Sequence, residues 1–305
     1  MSTKIRMEKL WPYNGLTWMV AKDEGLFDRA GLDVEFVDHG ISIGTDVTIQ
    51  DWDLVSSLRG HGEAVERGAA NIFTACEWGN YRRAQDTAQG ALQLDRRAEI
   101  ACGAIVVPPW SEVYVPQQLA NKKIAVPFHA GTHYLCLQLL EGFVPREMIK
   151  VVSSGMRPTR FRSMMEGVVD ACTLVEPWIT VAETNGCRII GQAFYVGTHV
   201  ATNEINPETQ AAIRGCIKEA VHIINADKAK YVHYFIDCEN APEVKQLRVE
   251  DFNLARLVYV EPSPIPEVEF QRTYEWMVSW NLIKPGHCIE DLVNKDGVIT
   301  EQKTL

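Results

Sequence analysis

The stretch Trp11-Pro-Tyr-Asn-Gly15, continued by Leu16-Thr-Trp-Met-Val-Ala-Lys-Asp-Glu-Gly25-Leu-Phe27 and then by Leu32-Asp-Val-Glu-Phe-Val37, decides how the rest of the chain is read. Ile5, Met7 and the Leu10-Trp11 pair ahead of it suit a short buried strand, which Pro12, Asn14 and Gly15 punctuate as a turn. From Leu16, apolar residues fall at Met19, Val20, Phe27 and Ala30 with helix period, and Gly31 is the residue type that closes a helix in the left-handed conformation. Leu32, Val34 and Phe36 then alternate with Asp33, Glu35 and Asp38, the pattern of a half-solvated strand. A strand–helix–strand unit implies a right-handed crossover and a parallel sheet. In such sheets small ligands bind where strands end and helices begin, which is where Trp11, Tyr13 and Asn14 fall. Two flat faces and an amide read as the floor of a small-molecule site, or as core aromatics beside a turn.

Working outward, the 305 residues suffice for one large domain or two modest ones. With 46% hydrophobic and 23% charged residues the composition is that of an ordinary globular protein. A net charge of -10 without any Lys/Arg run argues against a nucleic-acid partner, which needs clustered cations. No stretch approaches the roughly 18 uninterrupted apolar residues of a membrane span, so no membrane insertion is expected. The start, Met1-Ser-Thr-Lys-Ile-Arg, has no long apolar segment, so no export signal is expected, and the eight cysteines are scattered without a Cys-x-x-Cys pair. Buried thiols in a reducing compartment, and hence a cytoplasmic protein, are the expectation.

Further along, the run Asp53 to Ser57 reads as a strand that enters Leu58-Arg-Gly-His-Gly-Glu63. Glycines flanking His61 let Gly60 and Gly62 bring backbone amides close to a ligand, and Arg59 can offer a planar fork to a carboxylate or sulfur oxyanion. The other reading is a plain strand-to-helix turn with a surface arginine. Glu63 to Gly68 should be helix, Asn71 to Ala75 strand, Cys76 to Tyr81 a turn-like side wall, and Arg82 to Leu94 an exposed helix. The apolar run Ile100 to Val107 suits a central strand, broken by Pro108-Pro109. A second βα series follows, through the loop Phe128-His-Ala-Gly-Thr-His133 and the junction Glu176-Pro-Trp178. Helices dominate after Asn206, and Gly286 to Leu305 reads as a loosely held surface tail.

His129 and His133 stand four apart, a metal-ligand spacing on a helix, but Gly131 intervenes and no third ligand lies nearby, so no metal is expected. Gly131 and Thr132 instead read as a helix N-terminus suited to an anionic group, with His129 or His133 able to donate a proton. Arg157, Arg160 and Arg162 lie by another strand end, where helix spacing is expected to turn at most one toward a cleft. No nucleophile triad, phosphate loop or dinucleotide fingerprint is present, and no cofactor is expected.

Taken together, Val20-Ala-Lys-Asp-Glu-Gly-Leu-Phe with Ala30-Gly-Leu-Asp-Val-Glu-Phe36, then Leu119-Ala-Asn-Lys-Lys-Ile-Ala-Val-Pro127 with Gly131-Thr132, then Val169-Asp-Ala with Glu176-Pro-Trp178, resemble the NMT1/THI5-like group of type 2 periplasmic-binding-protein folds. The group contains sulfonate, nitrate and pyrimidine-precursor binding proteins and some cytoplasmic enzymes. The resemblance implies an α/β fold of two lobes, residues 1–104 with 202–305 and residues 105–201, with ligand between them and crossings near Ile105 to Pro108 and His199 to Thr202. It also implies that Glu176 and Trp178 line the second lobe's side of the cleft. Gly44-Thr45 with Arg59, Gly60 and Gly62 is similar to aromatic sulfinate desulfinases, in which an arginine and glycine amides hold the sulfinate. Their nucleophilic cysteine has no counterpart between Met1 and Ala75. The expectation is therefore a cofactor-free lyase or hydrolase acting on a small, flat organic anion, with His61, His129 and His133 as catalytic candidates. The alternative is a substrate-binding component of an ABC-type transporter or a sensor for a sulfonate, carboxylate or pyrimidine-like solute. Either reading allows a homodimer.

Overall fold

In a computed structural model that describes residues 3–38, 61–86, 92–287 and 289–293, the first unit forms as the hydrophobic pattern dictates. Strand β1 (Thr3–Glu8) pairs in parallel with β2 (Leu32–Val37), Ile5 opposite Val34. Helix α1 (Pro12–Asp23) and the short α2 (Leu26–Arg29) connect them. The helix begins at Pro12 rather than at Leu16. Proline suits the first helical turn, and the Asn14 side chain accepts a hydrogen bond from the Trp11 N–H at 3.0 Å, so the expected turn is the helix's own start. Leu16, Trp18, Val20 and Ala21 bury the inner face of α1 against the core.

Helix α3 (Glu63–Glu66) leads to β3 (Ile72–Cys76), buried along its whole length. Two expectations change here. Residues expected as a turn open helix α4 (Glu77–Asp86), and the distal part of the expected Arg82–Leu94 helix is strand β4 (Leu92–Arg96). Pairing decides the matter, because Leu92 and Gln93 lie opposite Ala201 and Val200 of a later strand. Next come β5 (Glu99–Val107), β6 (Lys123–Val126), α5 (Gly131–Glu141), β7 (Lys150–Ser153), α6 (Arg157–Met165), β8 (Ala171–Val175), α7 (Trp178–Thr184) and β9 (Arg188–Tyr195). Strand β10 (Gly197–Ala201) returns antiparallel to β3. After it come α8 (Pro207–Ala226), α9 (His233–Asp237), α10 (Pro242–Lys245), β11 (Val258–Tyr259), α11 (Glu267–Ser279) and α12 (Ile289–Leu292).

Among the described residues two mixed sheets result. One runs β2-β1-β3-β10-β4, and the other runs β11-β5-β8-β6-β7 with β9 also on β5. The chain changes sheet at Arg97-Ala98 and again at Val196, because β5 pairs with β9 from Ala101 through Val107 and so belongs to the second sheet throughout. Helix α8 packs on α1, closing the first lobe. Within the stretch expected as a loose tail, Leu292 and Val293 are buried in the core that α5 and α11 share, and residues 294–305 lie outside the described residues. Residues 39–60, with the expected 40–45 loop and the 53–57 strand, lie outside the described residues.

Candidate functional site

The strands of both sheets end on a common cavity of about 180 Å³. Trp11, Tyr13 and Asn14 reach it from the start of α1, and His61 from the turn before α3. Ala75 and Cys76 come from the end of β3, Gly79 and Arg83 from α4, and Arg97 from the first passage between sheets. The second sheet supplies the loop Pro127 to Thr132, then Ser153, Gly155, Met156, Arg157 and Arg160 around the start of α6, and finally Val175 and Tyr195. Ligand-sized space at the carboxyl ends of strands is where open α/β sheets place their sites.

Its electrostatics are one-sided. Four guanidiniums, those of Arg83, Arg97, Arg157 and Arg160, stand in the described lining, and no Asp or Glu does. Each is held in place by the fold. The Arg97 Nε donates to the carbonyl of Glu99 at 3.0 Å, while its Nη2, deep in a residue only 1% exposed, has no partner among the described residues. Arg160 donates from Nε to the Thr173 carbonyl (3.0 Å) and from Nη1 to the Gly155 carbonyl (2.7 Å), and burial lowers its pKa to about 10. Arg157 donates from Nη2 to Glu239 at 2.6 Å and lies over the rings of Trp11 and Tyr13, with its guanidinium carbon 4.8 and 5.3 Å from their centres. Arg83 donates to the His61 carbonyl and covers the Phe73 ring at 4.8 Å.

The loop before α5 brings backbone N–H groups to the same space. His129 has left-handed backbone (φ 60°), and Ala130 caps α5 without a side-chain hydrogen bond. Only glycine fits at 131, since a Cβ there would lie 2.4 Å from the Tyr195 ring. The first N–H groups of an α-helix have no intrahelical partner, and the helix dipole adds positive potential at that end. Cys76 Sγ accepts from the Gly79 N–H at 3.3 Å, and burial pushes the thiol up to about 11, so it stays protonated near neutral pH.

Of the residues singled out in the sequence, the cavity wall thus holds Trp11, Tyr13, Asn14, His61, His129, Gly131 and Thr132. Arg59 and Gly60 lie outside the described residues. Four others sit elsewhere. Gly62 (φ 80°) turns its amide to Glu8, and Gly62 and Ala64 donate to the two oxygens of that carboxylate at 2.7 and 2.9 Å, so this nest is already filled. His133 is fully buried behind the wall, its Nδ1 facing the His129 N–H at 3.3 Å, and burial holds its pKa well below the usual imidazole range. Glu176 accepts from the Thr180 N–H (3.1 Å) and hydroxyl (2.8 Å) and from Arg256 (3.2 Å). Trp178 is wholly buried against Phe161, ring centres 5.5 Å apart. Both residues of the Glu176–Trp178 pair therefore support α7 from inside the protein instead of lining the cleft.

Conversely, Arg157 and Arg160 both face the cavity where one arginine at most was expected. They are three apart on α6 and share a face, while Arg162 points outward to Glu243 at 2.7 Å. Cys76 reaches the cavity from the stretch expected as a side wall, whereas Arg83, Arg97 and Tyr195 were not singled out. Arg97 and Tyr195 share a positional signal, at or just beyond a strand end, while Arg83 lies inside α4 and carries none.

No family model matches the sequence, and no curated protein matches it. Solved structures match it over nearly its full length. The alkanesulfonate-binding protein SsuA from Xanthomonas axonopodis pv. citri, bound to MOPS, superposes with a TM-score of 0.72 at 17% identity, covering 95% of this chain and 98% of that one. The periplasmic aliphatic sulphonate-binding SsuA of Escherichia coli gives 0.69 at 14% identity, covering 100% and 96%. The chain has the type 2 periplasmic-binding-protein fold. A Candida albicans protein described as having the generic periplasmic-binding-protein fold extends the likeness, with a TM-score of 0.64 at 11% identity over 99% of both chains. The two-lobed architecture expected from the resemblance is the one observed, and the cavity occupies the space between the lobes of this binding-protein fold.

Proposed function

We propose that the protein is a substrate-binding protein that captures a small organic anion between its lobes. The observation that carries this reading is the described cavity lining, with four guanidiniums, one buried Nη2 without a partner, and no carboxylate. A buried cation lacking a counter-charge is costly, and an anionic ligand repays that cost. The α5 N-terminus adds donors of the same sign. Trp11, Tyr13, Phe128 and Tyr195 supply the apolar faces that a small organic body needs. Sulfonates, carboxylates and flat heteroaromatic anions are the candidate ligands. The SsuA proteins described above are themselves sulfonate binders. Outside the cytoplasm such a grip would deliver a solute to a transporter, and inside it would serve sensing.

The lyase or hydrolase expectation receives less from the geometry. Acid–base chemistry needs a group that exchanges protons near neutral pH. Cys76 stays protonated, and His133 stays neutral behind the wall. Isothermal titration against benzenesulfonate, MOPS, benzoate and uncharged pyrimidines tests the proposal. At least one organic anion should bind, and Arg97→Met should weaken it by about tenfold or more, as expected when a buried charge-assisted pair is lost. Equal binding of neutral analogues, or unchanged affinity in Arg97→Met, would sink it.

A further inference from the structure

The four guanidiniums are not equivalent, and their inequality says more about the ligand than their number. Resting on the anion-binding reading above, we infer that the ligand is a dianion whose two acidic groups are taken up separately, one by Arg97 and one by Arg160. Arg157 already has a carboxylate, with Nε and Nη2 both on Glu239 Oε1 at 3.2 and 2.6 Å. Arg83 stands in the field of Glu8, whose carboxylate the amides of residues 62 and 64 hold in place. Among the described residues Arg97 and Arg160 have no such counter-charge. Their side chains meet backbone carbonyls, and neither forms an ion pair with a carboxylate among the described residues. The neighbour that could have served Arg97, Glu99, turns its carboxylate to the Thr17 N–H and hydroxyl at 2.8 and 2.6 Å.

These two cations are 1% and 3% exposed, and both border the cavity. Arg97 stands at the passage out of the first sheet, its backbone N–H on Gly197 of β10, whereas Arg160 belongs to α6 and is tied to β8 of the second. Each lobe therefore contributes one compensated and one uncompensated guanidinium. A monoanion would leave one lone buried charge behind. A dianion answers both, and in doing so links the lobes through its own body.

Matched probes test this on the whole protein: succinate against butyrate, and a benzene disulfonate against benzenesulfonate, by isothermal titration near neutral pH. In at least one pair the dianion should bind about tenfold tighter or more. Arg97→Met and Arg160→Met should each collapse that gap, weakening the dianion by about tenfold or more beyond any loss of its monoanionic partner. Arg160 also ties two carbonyls, so Arg160→Met can fail to fold; Arg97→Met against Arg97→Lys then decides, with lysine retaining the gap and methionine erasing it. If monoanions bind as tightly as their dianionic partners, the dianion assignment is overturned and the anion-binding reading stands. If neutral analogues bind and neither anion does, or if nothing in the panel binds, both are overturned.

Discussion

Two junctions of this chain look alike as sequence and have opposite fates. Trp11-Pro12-Tyr13-Asn14 and Glu176-Pro177-Trp178 each put a tryptophan beside a proline where a strand hands over to a helix. In the first, the tryptophan precedes the proline. Trp11 is the N-cap of α1, with extended backbone at φ -111° and ψ 154°, and its ring lies in the cavity wall under Arg157. In the second, the tryptophan follows the proline and is the first residue of α7, so its ring shares the helix's inward face and packs on Phe161. At these two junctions the residue before α1 points along the opening between lobes, while the first residue of α7 falls on the face that helix buries. One position relative to the proline separates a candidate ligand contact from a core residue.

The largest expected break of this contrast is at Trp178. Trp178→Ala empties a fully buried site and should cost about 3–5 kcal/mol in urea unfolding. Ligand affinity in the fraction that stays folded should hardly change, which separates a core role from a contact role. A smaller effect is expected at Glu176, whose burial raises its pKa while Thr180 and Arg256 pull it back down. Arg256→Met removes that relief and should cost about 3 kcal/mol by leaving a buried carboxylate unpaired. The sign with pH follows from linkage. A carboxyl raised above its unfolded value binds more protons in the folded state, so stability falls as pH rises through the folded pKa. Stability of Arg256→Met should therefore decline more steeply than wild type from acidic toward neutral pH, measured as the urea midpoint. A parallel pH profile would show that Glu176 is not the group left behind.

Much of the fold was legible because it rests on local pattern. The alternation of Leu32, Val34 and Phe36, the apolar run of β5 and the helix period of α1 all survive in the structure. What failed locally failed where long-range pairing overrides composition, as in β4, whose polar stretch is claimed by β10. The site was legible by halves. Trp11, Tyr13 and the Gly131 loop fall at strand ends that the sequence reveals, but Arg83 and Arg97 meet them only through tertiary structure, from a helix and a passage remote in sequence. Gly62 shows the converse. Its left-handed backbone suits an anion nest, yet the anion is the chain's own Glu8, a partner 54 residues away that no spacing rule supplies.

The smallest expected effect sharpens the contrast from the other side. Trp11 contributes a cation–π contact with Arg157 and an edge-on contact with His61, ring centres 6.2 Å apart. A half-buried contact of this kind is worth about 1 kcal/mol, so Trp11→Ala should shift the urea midpoint only slightly. Its larger consequence should fall on binding. With the indole gone, a flat ligand loses its stacking face, worth about 0.5–1.5 kcal/mol, while an aliphatic anion of the same charge loses little. Titration of benzenesulfonate and butyrate into Trp11→Ala and wild type should therefore weaken the aromatic anion more than the aliphatic one, by roughly threefold to tenfold. Equal losses for both would mean that Trp11 acts by positioning Arg157, through charge and not through its face. Retention of aromatic selectivity in Trp11→Phe would confirm the flat face as the discriminating element, because phenylalanine keeps an aromatic face, though a smaller one, and has no N–H.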